Sequence, residues 1–390
     1  MASVEGSVAP GFEAVREAFE RNFTERDEIG AAVAVYWRGR KVADLWGGKR
    51  MPGRPDPWEE HTMAVVFSTT KGLAAMALAV AHARGWLDYT QPVSAYRPEF
   101  AQQGKAEITV RQLLDHRAGL VLLDQDLHID ELHDLDRVGA ILARQKPAWA
   151  PGTAHGYHSI SMGMYVQELV RRADPKARTL GQLFHEEIAL PLDLDCFIGL
   201  PDEIPGDRLA TLQMLSPLGA IAAWRSVPAP TLLRFLWPWS LLRRSLLTFG
   251  DVDWNDRRAL AVEIPAGNAV TTARAIARAY SVFACGGEEL GVDSSTMAEI
   301  VDGGRGQETD RVLGQQTRYS AGFLRPCQDC RFGSSERAFG APGAGGSFGF
   351  ADPDEQIGYA YVMNRMGYYL FDDPREKTLR DALYASRRGH

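Results

Sequence analysis

Long apolar runs, cysteine and lysine are all scarce in this chain of 390 residues. No stretch of about 18 uncharged apolar residues occurs, so no segment is expected to span a membrane. The opening residues, Met1 to Gly6, lack both the basic start and the apolar core of a secretory signal, which predicts a cytoplasmic protein. Four cysteines (Cys196, Cys285, Cys327 and Cys330) are too few for a disulfide framework and suit a reducing compartment. Cys327 and Cys330 form a lone C-x-x-C with no second pair and no nearby histidine. Zinc needs four ligands, so neither a metal nor another cofactor is expected. Basic residues do not dominate either: 43 Lys and Arg stand against 50 Asp and Glu, a net charge of −7. That balance argues against a nucleic-acid partner. Only seven of the 43 are lysines, so a lysine at a chemically useful spacing stands out.

What is present alternates between strand and helix patterns. Phe12, Val15, Phe19 and Phe23 recur at helical spacing. Gly30 to Trp37 and Lys41 to Trp46 flank Gly39-Arg40, the pattern of a β-hairpin. Residues 69–84 are apolar nearly all round and end at Gly85, which predicts a buried helix with a glycine stop. From about 108 to 260 the pattern is mostly helical, broken by Pro and Gly turns. Strand signals return at Tyr319–Leu324, Gly346–Ala351 and Ile357–Met363, and a closing helix fits 374–386. Strands at both ends with helices between predict an α/β fold. An antiparallel sheet flanked by helices would form from 1–65 and 262–390, with a mostly helical domain, 66–261, inserted and the active site between the two.

The chemically suggestive segment is Phe67-Ser68-Thr69-Thr70-Lys71, an S-x-x-K opening the apolar helix. Positions three apart share a helical face, so the Lys71 amine can reach the Ser68 hydroxyl. Burial makes such a lysine easier to deprotonate and hence a base. At a helix start the Ser68 N–H can also help hold an oxyanion. The alternative for Ser68-Thr69 is a helix N-cap. Tyr157 lies in a turn, Pro151 to Ser159, ahead of an amphipathic helix beginning near Ser159. A nearby cation lowering its pKa would let its phenol act as base and acid; the alternative is packing against a helix end.

Four ordered segments resemble the serine β-lactamase and DD-peptidase superfamily, in particular its class C-like branch and the family VIII carboxylesterases. They are Ser68-Thr69-Thr70-Lys71, the stretch Ile108 to Leu120, Tyr157-His158-Ser159, and Phe339 to Ser347 around Ala341-Pro342-Gly343. The resemblance covers roughly 30–365. It implies a β-lactamase/transpeptidase-like fold and an acyl-enzyme on Ser68, with Lys71 and Tyr157 moving protons. It further implies an oxyanion hole made by the N–H groups of Ser68 and of Ala344 on an edge strand. Ser159 stands where the family has a polar residue, and Gly343 and Gly345 would let the backbone approach substrate closely.

The fourth segment departs from the family pattern. Ala341-Pro342-Gly343 supplies neither the cation nor the hydroxyl that would grip a carboxylate, which points to small or medium apolar esters rather than β-lactams or peptides. Amide hydrolysis, β-lactam hydrolysis and acyl transfer share the same Ser-Lys-Tyr chemistry. A non-catalytic ligand-binding protein of the same fold is the alternative of another class. Gly345-Gly346-Ser347-Phe348-Gly349 also fits a G-x-S-x-G elbow, but the only histidine after it is His390. Residues 218–249 are rich in Leu, Trp and Phe, including Trp224, Trp237 and Trp239. They are expected to form a lid or pocket wall, an interfacial helix, or core and dimer packing. Trp237 and Trp239 would line the substrate pocket. His155 and His158 are expected to line the cleft or lie on the surface, and His116 to bond backbone nearby. The expected partner is a small-molecule ester, with homo-oligomerisation open.

Overall fold

A computed structural model describes residues 3–125, 127–215, 226–246, 249 and 252–387. The chain begins with β1 (Val4–Val8), α1 (Glu13–Glu25) and the hairpin β2 (Gly30–Trp37) and β3 (Arg40–Gly48). Among the helices that follow are α2 (Thr70–Ala83), α3 (Ser161–Ala173), α4 (Ala229–Leu236) and α5 (Ala273–Ala284). Strands then resume as β4 (Tyr319–Ser320), β5 (Phe323–Leu324), β6 (Phe339–Pro342), β7 (Phe348–Asp352) and β8 (Ile357–Met363), before α6 (Pro374–Arg387).

The strands of both ends meet in one eight-stranded antiparallel sheet, ordered β1-β3-β2-β8-β7-β6-β5-β4. The seam is β2 against β8, where Ala34 faces Ala360. Side chains alternate across a strand, and here the two faces carry different sizes. Val33, Leu45, Phe350, Tyr359 and Tyr361 pack with Phe19 of α1 and Leu379 of α6. The opposite face presents Ala34, Ala351 and Ala360, which share a core with Ile276 and Tyr280 of α5 and with Leu73 to Ala81 of α2. Small residues let α5 lie close to the sheet. Residues 70–81 of α2 are all buried, as an Ala-rich helix apolar on every side requires.

Several expectations need correction. Tyr319–Leu324 is not one strand but two two-residue strands folded on each other, with Phe323 opposite Ser320. The fold-back sits at Ala321 (φ 49°) and Gly322 (φ 93°), where a methyl on Gly322 would lie 3.0 Å from the Ala75 Cβ. β1 escapes sequence reading because its middle three residues are exposed, leaving no apolar alternation. β6 lies between β7 and β5, so it is not an edge strand, and Ala344 sits in the turn beyond it. Among the described residues no helix is long and apolar enough to cross a membrane.

The close approach of α5 yields a test. A methyl on Gly358 of β8 would stand 2.3 Å from the Ser281 nitrogen and 2.4 Å from the Ala277 oxygen, both backbone atoms of α5. Gly358→Ala should therefore destabilise the protein by about 2 kcal/mol or more in urea unfolding, despite removing a flexible residue from a strand.

Candidate active site

The start of α2 is held by bonds that leave one hydroxyl over. Ala64–Val65 pairs with Val270–Thr271, and the Val66 N–H donates to the Ala269 carbonyl at 3.0 Å. Phe67 then takes φ +43°, a conformation costing about 1–3 kcal/mol for a bulky residue, and a single 3₁₀ turn, Phe67–Thr69, leads into α2. Neither that turn nor α2 has a side-chain cap, so Ser68 and Thr69 do not act as N-caps. Thr69 Oγ1 instead meets Ser347 Oγ at 3.1 Å, and Ser347 donates to the Val66 carbonyl at 2.9 Å. The Thr70 hydroxyl donates to the Phe67 carbonyl and accepts the Ala269 N–H at 2.9 Å. Ser347 thus braces the turn from beneath and is 1% exposed. Of the hydroxyls in Ser-Thr-Thr, Ser68 alone faces the cleft.

Lys71 Nζ lies 3.2 Å from Ser68 Oγ, 2.6 Å from the Ser159 carbonyl and 2.8 Å from the Ala266 carbonyl. No carboxylate pairs with it among the described residues. Burial alone pulls its pKa down to about 7. Three acceptors would suit an ammonium, but they suit the neutral amine equally well. Two N–H bonds then go to the two carbonyls, and the lone pair is left to accept the Ser68 proton.

Tyr157 approaches from the opposite wall. Its ring lies 4.7 Å from Lys71 Nζ and stacks on Tyr319 at 6.5 Å, and its hydroxyl is hydrogen-bonded to Ser68. Burial, reinforced by the Asp310 charge, pushes the phenol pKa up against the opposing pull of the Ser68 bond. The expected lowering by a cation does not occur, so Tyr157 stays a phenol and a proton donor. Its loop is fixed by Asp310, fully buried, whose Oδ1 accepts the N–H groups of Tyr157 (3.1 Å), Val312 (2.8 Å) and Leu313 (2.8 Å). Nothing in the local sequence marks Asp310 for this.

The remaining candidates separate. Gly343, Ala344 and Gly345 line the cleft opposite Ser68, and no described main-chain acceptor takes the Ala344 N–H. Gly343 is glycine because a methyl there would fall 2.2 Å from Ser347 Oγ and 2.4 Å from the Val66 oxygen. Behind this turn the buried Arg375 donates to the Gly345 carbonyl at 2.8 Å while paired with Asp373 and Glu28, a brace that sequence reading missed. Ser159 does not line the cleft: its hydroxyl bonds Ser245 at 3.0 Å, and its carbonyl is what serves Lys71. His155 and His158 are buried rather than on the surface, and His158 Nε2 accepts the Leu120 N–H at 2.9 Å. His116 lines the cleft, and its Nδ1 accepts the His158 N–H at 3.1 Å. The described residues contain no group of three or more His, Cys, Asp or Glu placed to hold a metal.

A cavity of about 330 Å³ opens from Ser68, walled by Leu232, Phe235, Leu242, Leu246, Met366 and Phe371. Trp237 and Trp239 are not in that wall; they are 61% and 73% exposed, because α4 turns its other face inward. Trp224 and the rest of 216–225, like Leu247, lie outside the described residues. Residues 366–371, an aromatic turn between β8 and α6, complete the wall without having been singled out in the sequence.

Residues 16–384 match the family model described as Beta-lactamase. The chain is 34% identical over 375 residues to Esterase/beta-lactamase LipL of Mycobacterium tuberculosis, covering 93% of this chain and 83% of that one. A crystal structure of a family VIII carboxylesterase superposes with a TM-score of 0.87 at 35% identity, covering 98% of this chain and all of that one (100%). EstA from Arthrobacter nitroguajacolicus gives 0.85 at 30% identity, with 99% of each chain covered.

Reactivity at Ser68 should follow Lys71. Because its pKa lies below the ordinary lysine value, the neutral base predominates above about 7. Labelling of Ser68 by a fluorophosphonate should rise about tenfold per pH unit below that point and level off above it. Asp115 and Glu376, both lifted by burial to about 7, titrate in the same range. The step should survive Asp115→Asn and labelling should be lost in Lys71→Met, as read by gel fluorescence.

Proposed function

Since the chain belongs to the Beta-lactamase family, we propose that it is a serine carboxylesterase cleaving small to medium apolar esters through an acyl-enzyme on Ser68. The observation that carries this reading is a base without a counter-ion, Lys71, aimed at Ser68 at the mouth of an apolar cavity. Ser68 Oγ attacks the ester carbonyl as its proton passes to Lys71 Nζ. The N–H groups of Ser68 and Ala344 hold the resulting oxyanion, and preorganised donors of this kind lower such barriers by several kcal/mol. The alkoxide leaves with the proton of Tyr157, which Lys71 restores. Water then attacks the acyl carbon as its proton passes to the same pair, which returns a proton to Ser68 Oγ as the acyl–oxygen bond breaks and the acid leaves. The active site would lie between the sheet domain and the inserted helical domain, and four unpaired thiols support a cytoplasmic setting.

Ester is favoured over β-lactam or peptide by what the cavity lacks. Among its described lining residues Lys71 is the only lysine, arginine or carboxylate. A substrate carboxylate would therefore meet Ala341-Pro342-Gly343 with no cation to bond. Such bonds to charged groups contribute about 1.5–3 kcal/mol, or roughly ten- to a hundredfold in affinity. A relative named as both esterase and β-lactamase keeps β-lactam hydrolysis as a second reading.

A panel of p-nitrophenyl esters, a p-nitroanilide and nitrocefin separates these readings. The butyrate and hexanoate esters should turn over fastest, nitrocefin at least about tenfold more slowly, and intact mass should show one acyl group on Ser68. Ser68→Ala should lower ester kcat by about 10⁴-fold or more, and intact turnover in that variant refutes the assignment. Asp310→Ala should lower kcat about ten- to a hundredfold with little change in KM, because it frees the Tyr157 loop from its anchor.

A further inference from the structure

The outer side of the cavity wall is unusual in both charge and exposure. From Arg208 to Gly250 the sequence has no Asp or Glu, although the chain holds 50, and this stretch carries five arginines. Of the described ones, Arg234, Arg243 and Arg244 pair with no carboxylate among the described residues. Most other arginines here do, as with Arg178 on Asp174, Glu186 and Glu187. Leu233, Leu236, Trp237 and Trp239 are 61–73% exposed on the same segment. An external apolar groove runs along Ala229, Leu233 and Trp237.

α4 therefore has two apolar faces. Thr231, Leu232 and Phe235, spaced at one helical stripe, face the cavity. Leu233 and Leu236 face away from it and continue into Trp237 and Trp239. A globular surface seldom leaves such a patch bare, and exposed tryptophans flanked by arginines suit the boundary between lipid headgroups and acyl chains.

We propose that residues 226–246 dock the protein on an anionic phospholipid surface, seating the outer wall of the cavity at the interface. Phosphate groups supply the anions that the arginines lack, and the tryptophans and leucines enter the headgroup boundary. A second copy of this chain is a poor occupant. In a twofold contact through this segment arginine would face arginine with no acid on either side. The inference does not depend on the ester chemistry and is testable with Ser68→Ala protein.

The test is cosedimentation of the full chain with vesicles of phosphatidylcholine, with and without phosphatidylglycerol. Binding should require phosphatidylglycerol and weaken as salt rises. The double variant Arg243→Gln/Arg244→Gln should lower the partition coefficient about thirtyfold. Trp237→Ser/Trp239→Ser should abolish binding and the blue shift of tryptophan fluorescence, with circular dichroism unchanged in both variants. The proposal is overturned if the parent does not bind phosphatidylglycerol vesicles, or if neither variant weakens binding. It is also overturned if sedimentation velocity shows a dimer that the tryptophan variant dissociates, which would assign the face to self-association.

Discussion

A lysine amine buried with no counter-ion is an expensive group, and the cleft is organised around satisfying it. Charging it there is opposed by desolvation, and leaving its hydrogens unbonded would cost about as much as any lost buried hydrogen bond. The two carbonyls that relieve it come from Ser159 and Ala266, 88 and 195 positions away in the chain. Lys71 can be basic only if three separate segments arrive together, so the fold and the chemistry share one requirement. The apolar, alanine-rich character of α2 is part of the same arrangement, since a solvated helix would leave this lysine at its ordinary pKa.

Three of the ten described non-glycine residues with positive φ stand beside the same point. Phe67, His116 and Ala321 all have positive φ, at 43°, 59° and 49°. Each is held by a bond to a neighbouring segment or turn: Thr70 to the Phe67 carbonyl, the His158 N–H to His116, and the Ala321 N–H to Asp115 at 2.8 Å. Non-glycine residues in this conformation persist only where their surroundings over-determine them. Their placement along one cleft shows that its shape is imposed by tertiary contacts and not by local preference.

That distinction explains what could be read from the sequence. Ile357–Met363 and Gly30–Trp37 were legible because strands buried on both faces need unbroken apolar runs, and the hairpin turn after Trp37 needs glycine at Gly39 (φ 74°). Ser68 and Lys71 were legible because their spacing on a helix is itself geometry. Asp310 and the Arg375 cluster were not, since each acts through atoms far away in the chain. Tyr157 was found by resemblance, but the direction of its pKa was misjudged: burial outweighs any cation nearby. The tryptophans of the 218–249 stretch misled for a related reason. Composition marks a segment as apolar without saying which of its faces turns inward.

The grip on α4 has a mechanical side. The Thr231 hydroxyl donates to the Leu313 carbonyl at 2.7 Å, and Gln315 donates to Thr231 at 3.0 Å. Leu313 is the residue whose own N–H is clasped by Asp310, the same carboxylate that clasps Tyr157. Any force that tugs the outer helix is thus transmitted across a short relay of polar contacts to the phenol. The helix that walls the cavity and the phenol beside Ser68 therefore share one carboxylate anchor, Asp310.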